Sequence, residues 1–376
     1  MGHLGLLLQP KPQRRLLALD GGGIRGAITI EILAAVEAAL RARLGKPELV
    51  LADWFDYVGG TSTGAIIATC ISLGMPVEQI RSFYHNNGAV MFDKAHVLDR
   101  FWHTYNSEKL AAQLRDVVGP DETLRSAKLR TLLLLVMRNA TTDSPWPISN
   151  NPGAKYNDRA PSNLELPLWK LVRASTAAPT FFPPEEIIVD GDKPFLFVDG
   201  GVTTYNNPAF LLFLMATLEP YKLGWETGED KMLLMSVGTG SSATANKNLA
   251  PGEMNLLYNA QKIPAALMYA SLVQQDMLCR AFGRCEFGAQ IDRELLDLCG
   301  VAAPGGAAKS FTYCRYDPEL SREALDVLKL ADVPVENVQR MDSAAHVGDL
   351  ARLGAAYAAR SFKVDHLSAF LPAGPP

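Results

Sequence analysis

A chain of 376 residues with 48% hydrophobic and 20% charged residues is globular rather than disordered, and long enough for one elaborated α/β domain or for two. A net charge of -4 without any long Lys/Arg run argues against an extended nucleic-acid surface. The five scattered cysteines, Cys70, Cys279, Cys285, Cys299 and Cys314, have no C-x-x-C pair and no interleaved histidine, so they suggest neither a disulfide framework nor a zinc site and read as reduced core thiols.

Residues 1–14 read as an N-terminal extension. Their one apolar run, Leu6-Leu7-Leu8, precedes the basic residues, the reverse of a secretory signal, and the pattern around Gly2 is not that of myristoylation. No run of eighteen apolar residues follows anywhere, so the expectation is a soluble, cytoplasmic protein that meets membranes peripherally if at all. Short continuous apolar runs at 16–19, 55–58, 132–137, 195–198 and 232–237 predict parallel strands buried on both faces. Between them, Ile30, Leu33, Leu40 and Leu44 share one helical face with Glu31, Glu37, Arg41 and Arg43 elsewhere, and Gly45 with Pro47 supplies a stop. Asn207 and Pro208 predict a helix start running through Leu218. Residues 254–283 and 321 onward are mainly helical in pattern, 301–308 form a Gly/Ala-rich loop, and 371–376 a frayed tail. Strand alternating with helix, without internal repeats, predicts α/β with a mainly parallel sheet in a single domain over 15–370.

Two glycine motifs carry the chemistry. In LALDGGGIRG, Leu17 to Gly26, the spacing Gly21-Gly22-Gly23-Ile24-Arg25-Gly26 is that of a dinucleotide loop between a strand and a helix. Gly60-Thr61-Ser62-Thr63-Gly64 is a G-x-S-x-G sequence in the same context, where a tight turn pushes the Ser62 hydroxyl into a cleft. A serine nucleophile needs a base. His346 and His366 come late enough in the chain for a triad, but both sit in polar helical stretches with no loop to aim them, and His85, His96 and His103 read as surface or loop residues. Asp199, at the carboxyl end of an apolar run and followed by Gly200 and Gly201, stands where open sheets gather functional groups; by itself it reads more readily as a turn aspartate than as a catalytic one.

Asp20-Gly21-Gly22-Gly23-Ile24-Arg25-Gly26, Gly60-Thr61-Ser62-Thr63-Gly64 and Asp199-Gly200-Gly201, in that order, resemble the patatin family of lipid acyl hydrolases. Segments 174–184, 234–240 and 311–316 look like further family segments, so the likeness runs from about Arg15 to Phe370. The resemblance implies a three-layer α/β/α fold, a modified form of the α/β-hydrolase type, with Ser62 and Asp199 as a catalytic dyad that needs no histidine, metal or organic cofactor. It implies an oxyanion hole in Gly21, Gly22 and Gly23, where bare N–H groups at a helix start favour an anion. Arg25 would steady this loop, meet an anionic headgroup or pair with a carboxylate. The substrate would be an acyl lipid, reached by transient contact with a lipid surface, and some relatives of this kind are switched on by partners or signals. Phe181-Phe182-Pro183-Pro184 and the 265–282 helix, with Leu267, Met268, Leu272, Met277, Leu278 and Phe282, read chiefly as core, with an acyl pocket as the alternative. Two rival readings stand beside the hydrolase: a nucleotide-binding oxidoreductase whose ribose-binding acid would be Glu48 or Asp53, and a catalytically silent binding protein that keeps the fold.

Overall fold

The computed structural model describes residues 3–92, 100–179, 182–189, 191, 193–241, 256–342 and 344–372. His96, Phe181, Met254 and the last four residues fall outside these, as does the side chain of His103. Among the described residues, β1 (Arg14–Leu19), β2 (Tyr57–Thr61), β3 (Leu132–Asn139), β4 (Ser144–Ser149), β5 (Glu185–Ile187), β6 (Phe195–Asp199), β7 (Met232–Val237), β8 (Arg284–Phe287) and β9 (Thr312–Tyr316) form one sheet. Its order is β5-β6-β3-β2-β1-β7-β9-β8, with β4 also paired to β3. The helices are α1 (His3–Leu7), α2 (Gly26–Leu44), α3 (Thr63–Ser72), α4 (Val77–Phe92), α5 (Arg100–Val118), α6 (Leu168–Ser175), α7 (Ala209–Thr217), α8 (Leu256–Phe282), α9 (Arg322–Val327), α10 (Val335–Gln339) and α11 (Val347–Ser361). None of the described helices is long and apolar enough to cross a membrane.

Strands β3, β2, β1, β7, β9 and β8 run parallel. Their side chains alternate between two cores. Leu17, Leu19, Val58, Leu133, Leu135 and Met235 pack under α2 to α6 and α9 to α11, whereas Leu16, Ala18, Tyr57, Leu134 and Leu234 pack against α1, α7 and α8. Burial on both faces explains the unbroken apolar runs of these strands, and gives the three layers.

The start of α2 extends the catalytic-loop candidate into the body of the protein. The helix ends where expected: Gly45 takes a left-handed conformation (φ 61°) and its N–H closes onto the last turn. Glu37 departs from the amphipathic reading, being buried; its carboxylate accepts from the Val77 N–H at 3.2 Å and so caps the start of α4. Asn207 behaves as predicted, accepting from the Ala209 N–H at 3.0 Å at the first turn of α7.

The sheet is mainly parallel as expected, but its β5-β6 end corrects the reading of the 195–198 run as a parallel strand. β6 is antiparallel to β3 and β5, and β4 is antiparallel to β3. β4 carries Pro145 and Pro147, which its outer position tolerates because no further ladder is needed there. β2 begins at Tyr57 rather than Phe55, and it continues through Gly59 and Gly60, whose missing side chains hide the strand from an apolar count.

Helix α11 lies across α2, and Gly354 makes the crossing possible: a Cβ there would sit 2.8 Å from the Ile28 carbonyl oxygen and 2.9 Å from the Glu31 Cβ. Gly354→Ala is therefore expected to lower stability by about 1–3 kcal/mol through overpacking. Gly348→Ala, on the same helix with nothing within 4 Å, is the control and leaves the urea midpoint unchanged or slightly raised.

Candidate active site

The turn between β2 and α3 admits no side chain at either end. A Cβ on Gly60 would lie 2.1 Å from the Gly64 carbonyl oxygen, and one on Gly64 would lie 2.3 Å from that of Leu19. Ser62 between them is held at φ 55°, ψ -122°, a conformation that costs a non-glycine residue about 1–3 kcal/mol. The surroundings enforce it. The Ser62 N–H donates to the Ser175 Oγ at 3.0 Å, and the Ser175 hydroxyl donates to the Val136 carbonyl at 2.5 Å.

The register of β3 brings the second group. β2 pairs with residues 132–136 of β3, up to Thr61 opposite Val136, and β6 pairs with 137–139, with Asp199 opposite Met137. Since β4 occupies the other edge of 134–139, β6 takes over the edge that β2 leaves. Ser62 and Asp199 are thus the first residues past one strand end and at the other. The Ser62 Oγ donates to Asp199 Oδ2 at 2.6 Å, and Asp199 Oδ1 accepts from the Gly201 N–H at 2.6 Å. Asp199 is 5% exposed. Burial pushes its carboxyl up to about 6, against the downward pull of the Ser62 and Gly201 hydrogen bonds and of the Arg173 charge. A carboxylate so placed can take a proton from the hydroxyl beside it.

The Gly21–Gly23 loop lies above the end of β1. The Gly21 N–H donates to the Asn206 carbonyl at 3.1 Å, and the Gly21 carbonyl accepts from the Thr239 hydroxyl at 3.1 Å and the Asn206 side-chain amide at 3.4 Å. Ile24 N–H donates to the Met341 carbonyl at 3.1 Å, and Arg25 N–H to that of Gly22 at 3.3 Å. The N–H groups of Gly22 and Gly23 have no partner among the described residues. Gly23 has φ 61°, and a Cβ there would lie 2.3 Å from the Met341 carbonyl oxygen, so only glycine makes this turn. Arg25 is half-buried and forms no ion pair among the described residues; burial brings its guanidinium down to about 10, while the charges of Asp317 and Asp20 hold it up.

Below the loop, Asp20 receives both arms of Arg315, Nη1 to Oδ1 at 2.9 Å and Nη2 to Oδ2 at 2.6 Å. Arg315 also donates to Ser236 Oγ at 2.7 Å and Asp317 Oδ2 at 3.0 Å. Burial raises the Asp20 carboxyl to about 7 against the Arg315 attraction. Burial also works against the Arg315 charge, but Asp20 and Asp317 more than offset it and carry the guanidinium well above its ordinary value.

Residues 17–213, more than half of the chain, match the family described as patatin-like phospholipase. The chain belongs to the patatin-like phospholipase family. Patatin-T5 of Solanum tuberosum is 30% identical over 254 residues, 63% of this chain and 63% of that protein. A cGAMP-activated phospholipase of Vibrio cholerae serotype O1 is 29% identical over 215 residues, 54% of this chain and 57% of that protein. The match spans less than two thirds of the length of either relative. The structure of human GIVD cytosolic phospholipase A2 aligns over 98% of this chain and 62% of its own at 12% identity, with a TM-score of 0.49.

Among the described residues of this patatin-like phospholipase chain, no histidine is hydrogen-bonded to Ser62 or Asp199. His366 Nδ1 is 2.8 Å from the Tyr316 hydroxyl, and its ring stacks on Phe287 at 4.8 Å. His85 is exposed on α4, and His346 ends a short 3-10 helix. Asp53, the candidate ribose ligand of the rival reading, accepts from the Val50 N–H at 3.0 Å and pairs with Arg130. Of the α8 face, Met268 approaches Gly201, its methyl 3.6 Å from where a Cβ would stand, whereas Leu267 is 62% exposed. Phe182 lies under the Arg173 guanidinium at 4.8 Å. Ser175, Asn206, Ser236, Thr239 and Arg315 position the site without having been singled out in the sequence. All but Asn206 fall inside the additional family-like segments, which was the available signal.

Arg315→Met leaves Asp20 and Asp317 facing a buried gap, and is expected to cost about 3–5 kcal/mol in urea unfolding. Asp20→Asn with Arg315→Met together should cost less than the sum of the two singles, because the pair is in direct contact.

Proposed function

We propose that residues 15–370 act as one catalytic domain, a serine hydrolase that cleaves carboxylic esters of acyl lipids through Ser62 and Asp199. The observation that carries the reading is the 2.6 Å hydrogen bond from the Ser62 hydroxyl to a buried carboxylate of raised proton affinity. Asp199 Oδ2 takes the hydroxyl proton as Ser62 Oγ attacks the ester carbonyl. Of the three glycines expected to form the oxyanion hole, Gly21 has its N–H committed to the Asn206 carbonyl, so the oxyanion accepts from the unpartnered N–H groups of Gly22 and Gly23, at the entry to α2, where the helix dipole adds to their attraction. Asp199 then returns the proton to the departing alcohol, leaving the acyl group on Ser62. In the second half it takes a proton from water as the water oxygen attacks the acyl carbon, and returns that proton to Ser62 Oγ as the bond to the serine breaks and the fatty acid leaves. No step calls for a metal or an organic cofactor.

Family membership supports the substrate class. Met268 beside Gly201 and the exposed Leu267 on the next position of α8 support an approach of the acyl chain, and of the lipid surface, from that side. The name of the Vibrio cholerae relative, a cGAMP-activated phospholipase, makes an activating ligand a reasonable component of assays on this chain.

Ser62→Ala and Asp199→Asn are each expected to lower kcat for a medium-chain ester by at least about 10³-fold. His346→Ala and His366→Ala should stay near the parent rate; loss of activity in either would replace the dyad with a triad. Because the base must be ionised, kcat/KM should fall as pH drops through about 6. An aspartate at its ordinary value would hold activity down to about pH 4. Labelling of the parent, but not of Ser62→Ala, by a fluorophosphonate separates the enzyme from a silent binding protein.

A further inference from the structure

At the β8 edge of the sheet, away from Ser62, two thiols meet. Cys285 sits on β8 and is 6% exposed, and Cys299 follows in the next loop and is exposed. Their sulfurs are 3.3 Å apart, with the Cys299 thiol donating toward Cys285. This corrects the reading of all five cysteines as core residues; Cys70, Cys279 and Cys314 are buried at 1% exposure or less.

The loop that brings Cys299 back to Cys285 is held in shape by polar contacts. Arg280 Nη1 donates to the carbonyls of Ala289 at 2.7 Å and Asp297 at 3.0 Å, while Asp276 fixes the rest of the guanidinium through bonds of 2.6 and 3.0 Å. Asp297 Oδ1 in turn accepts from the Cys299 N–H at 2.9 Å. The loop thus presents the thiol in place, and a disulfide at about 2.05 Å requires the sulfurs to close by little more than an ångström.

We propose that Cys285 and Cys299 are a redox modification site, oxidised by a hydroperoxide to an intramolecular disulfide that staples the 286–298 loop to the edge strand. The exposed Cys299 sulfur, as thiolate, attacks the peroxide O–O bond and becomes a sulfenic acid, while the departing oxygen leaves as hydroxide and is protonated to water. Cys285 sulfur then attacks Cys299 sulfur, the S–S bond forms, and the sulfenic oxygen leaves as a second water. Two thiols and one hydrogen peroxide give one disulfide and two waters. Burial raises both thiols above their ordinary value, with the nearby Arg280 charge opposing this. The thiolate fraction is therefore small near neutrality, and the oxidation accelerates as pH rises.

The test is hydrogen peroxide in modest molar excess on the fully reduced chain, followed by alkylation in denaturant and mass spectrometry. The expected result is a fall from five alkylated thiols to three, with a cross-linked peptide pair containing Cys285 and Cys299 that dithiothreitol separates. The oxidised protein should melt about 4 °C higher than the reduced one, since the bond restricts the unfolded chain. Cys299→Ser, at an exposed position, should fold normally and lose both the cross-link and the melting shift. Five free thiols after treatment, a different cysteine pairing, or Cys299 passing to the sulfinic acid without joining Cys285 would each overturn the proposal.

Discussion

Everything at the site depends on the way two strands share one edge of β3. β2 stops at Thr61, opposite Val136, and β6 takes the same edge from Met137 onward, arriving from the opposite direction. Two chain segments 137 residues apart are forced end to end by backbone hydrogen bonds alone, so the Ser62 hydroxyl and the Asp199 carboxylate meet whatever else the loops do. The junction has no spare volume. A Cβ on Gly200 would stand 2.3 Å from the Val136 carbonyl oxygen and 2.9 Å from the Thr61 methyl, so the glycine after Asp199 is a condition of the handover rather than an ornament of the motif. The same Val136 carbonyl receives the Ser175 hydroxyl that holds the Ser62 N–H, which makes one peptide group the reference point for both side chains of the proposed dyad.

This register also marks where sequence reading succeeds and where it stops. The central strands are legible because both faces are buried, and the alternation that usually separates inside from outside is replaced by an unbroken run such as Leu132 to Met137. Helix α2 is legible through its glycine stop, and α7 through the Asn207 cap. The antiparallel end is not. β6 has the composition of a buried strand, and direction leaves no trace in composition; only its partners reveal it. β4 is masked by two prolines, and β2 by two glycines, Gly60 demanded by the turn and Gly59 packed against Leu212 and Leu134. Among site residues, the glycine motifs are visible because steric exclusion permits only one residue type. Ser175, Thr239 and Arg315 are ordinary polar residues made important by partners far away in the chain, and Arg315 reaches across 295 positions to Asp20.

The Asp20–Arg315 pair explains how a glycine loop, the least rigid kind of backbone, can present N–H groups at fixed positions. Asp20 is the last residue before the loop, and its carboxylate is gripped by both arms of a guanidinium that rises from β9 and also reaches Ser236 on β7. The other side of the loop is tied by the Gly21 carbonyl to Thr239 and Asn206, and by the Ile24 N–H to Met341. Between these ties only Gly22 and Gly23 keep unpartnered N–H groups among the described residues. A pair of charges without solvent is a poor source of net stability, since desolvation opposes their attraction. Its geometric value is greater: five donors in a rigid plane define one orientation of the carboxylate, and hence of the peptide that follows it.

The proposed dyad turns on what burial does to a carboxylate. An aspartate in water, at about 3.9, is a weak base toward a hydroxyl, whereas free imidazole, at about 6.5, is the usual choice. Asp199 at about 6 approaches the imidazole value because it is removed from solvent while its two stabilising donors, Ser62 and Gly201, only partly compensate. The bond from Gly201 restrains the rise and fixes which oxygen faces the serine, so Oδ2 is left for the hydroxyl. Burial of the carboxylate by the sheet therefore does in one residue what a triad divides between a histidine and the acid that orients it. The cost is borne by the fold: a carboxyl group whose proton affinity is raised in the native state disfavours that state once pH exceeds its unfolded value. That penalty, added to the strained backbone of Ser62, is carried by the two apolar cores that flank the strands and by the rigid junction on β3.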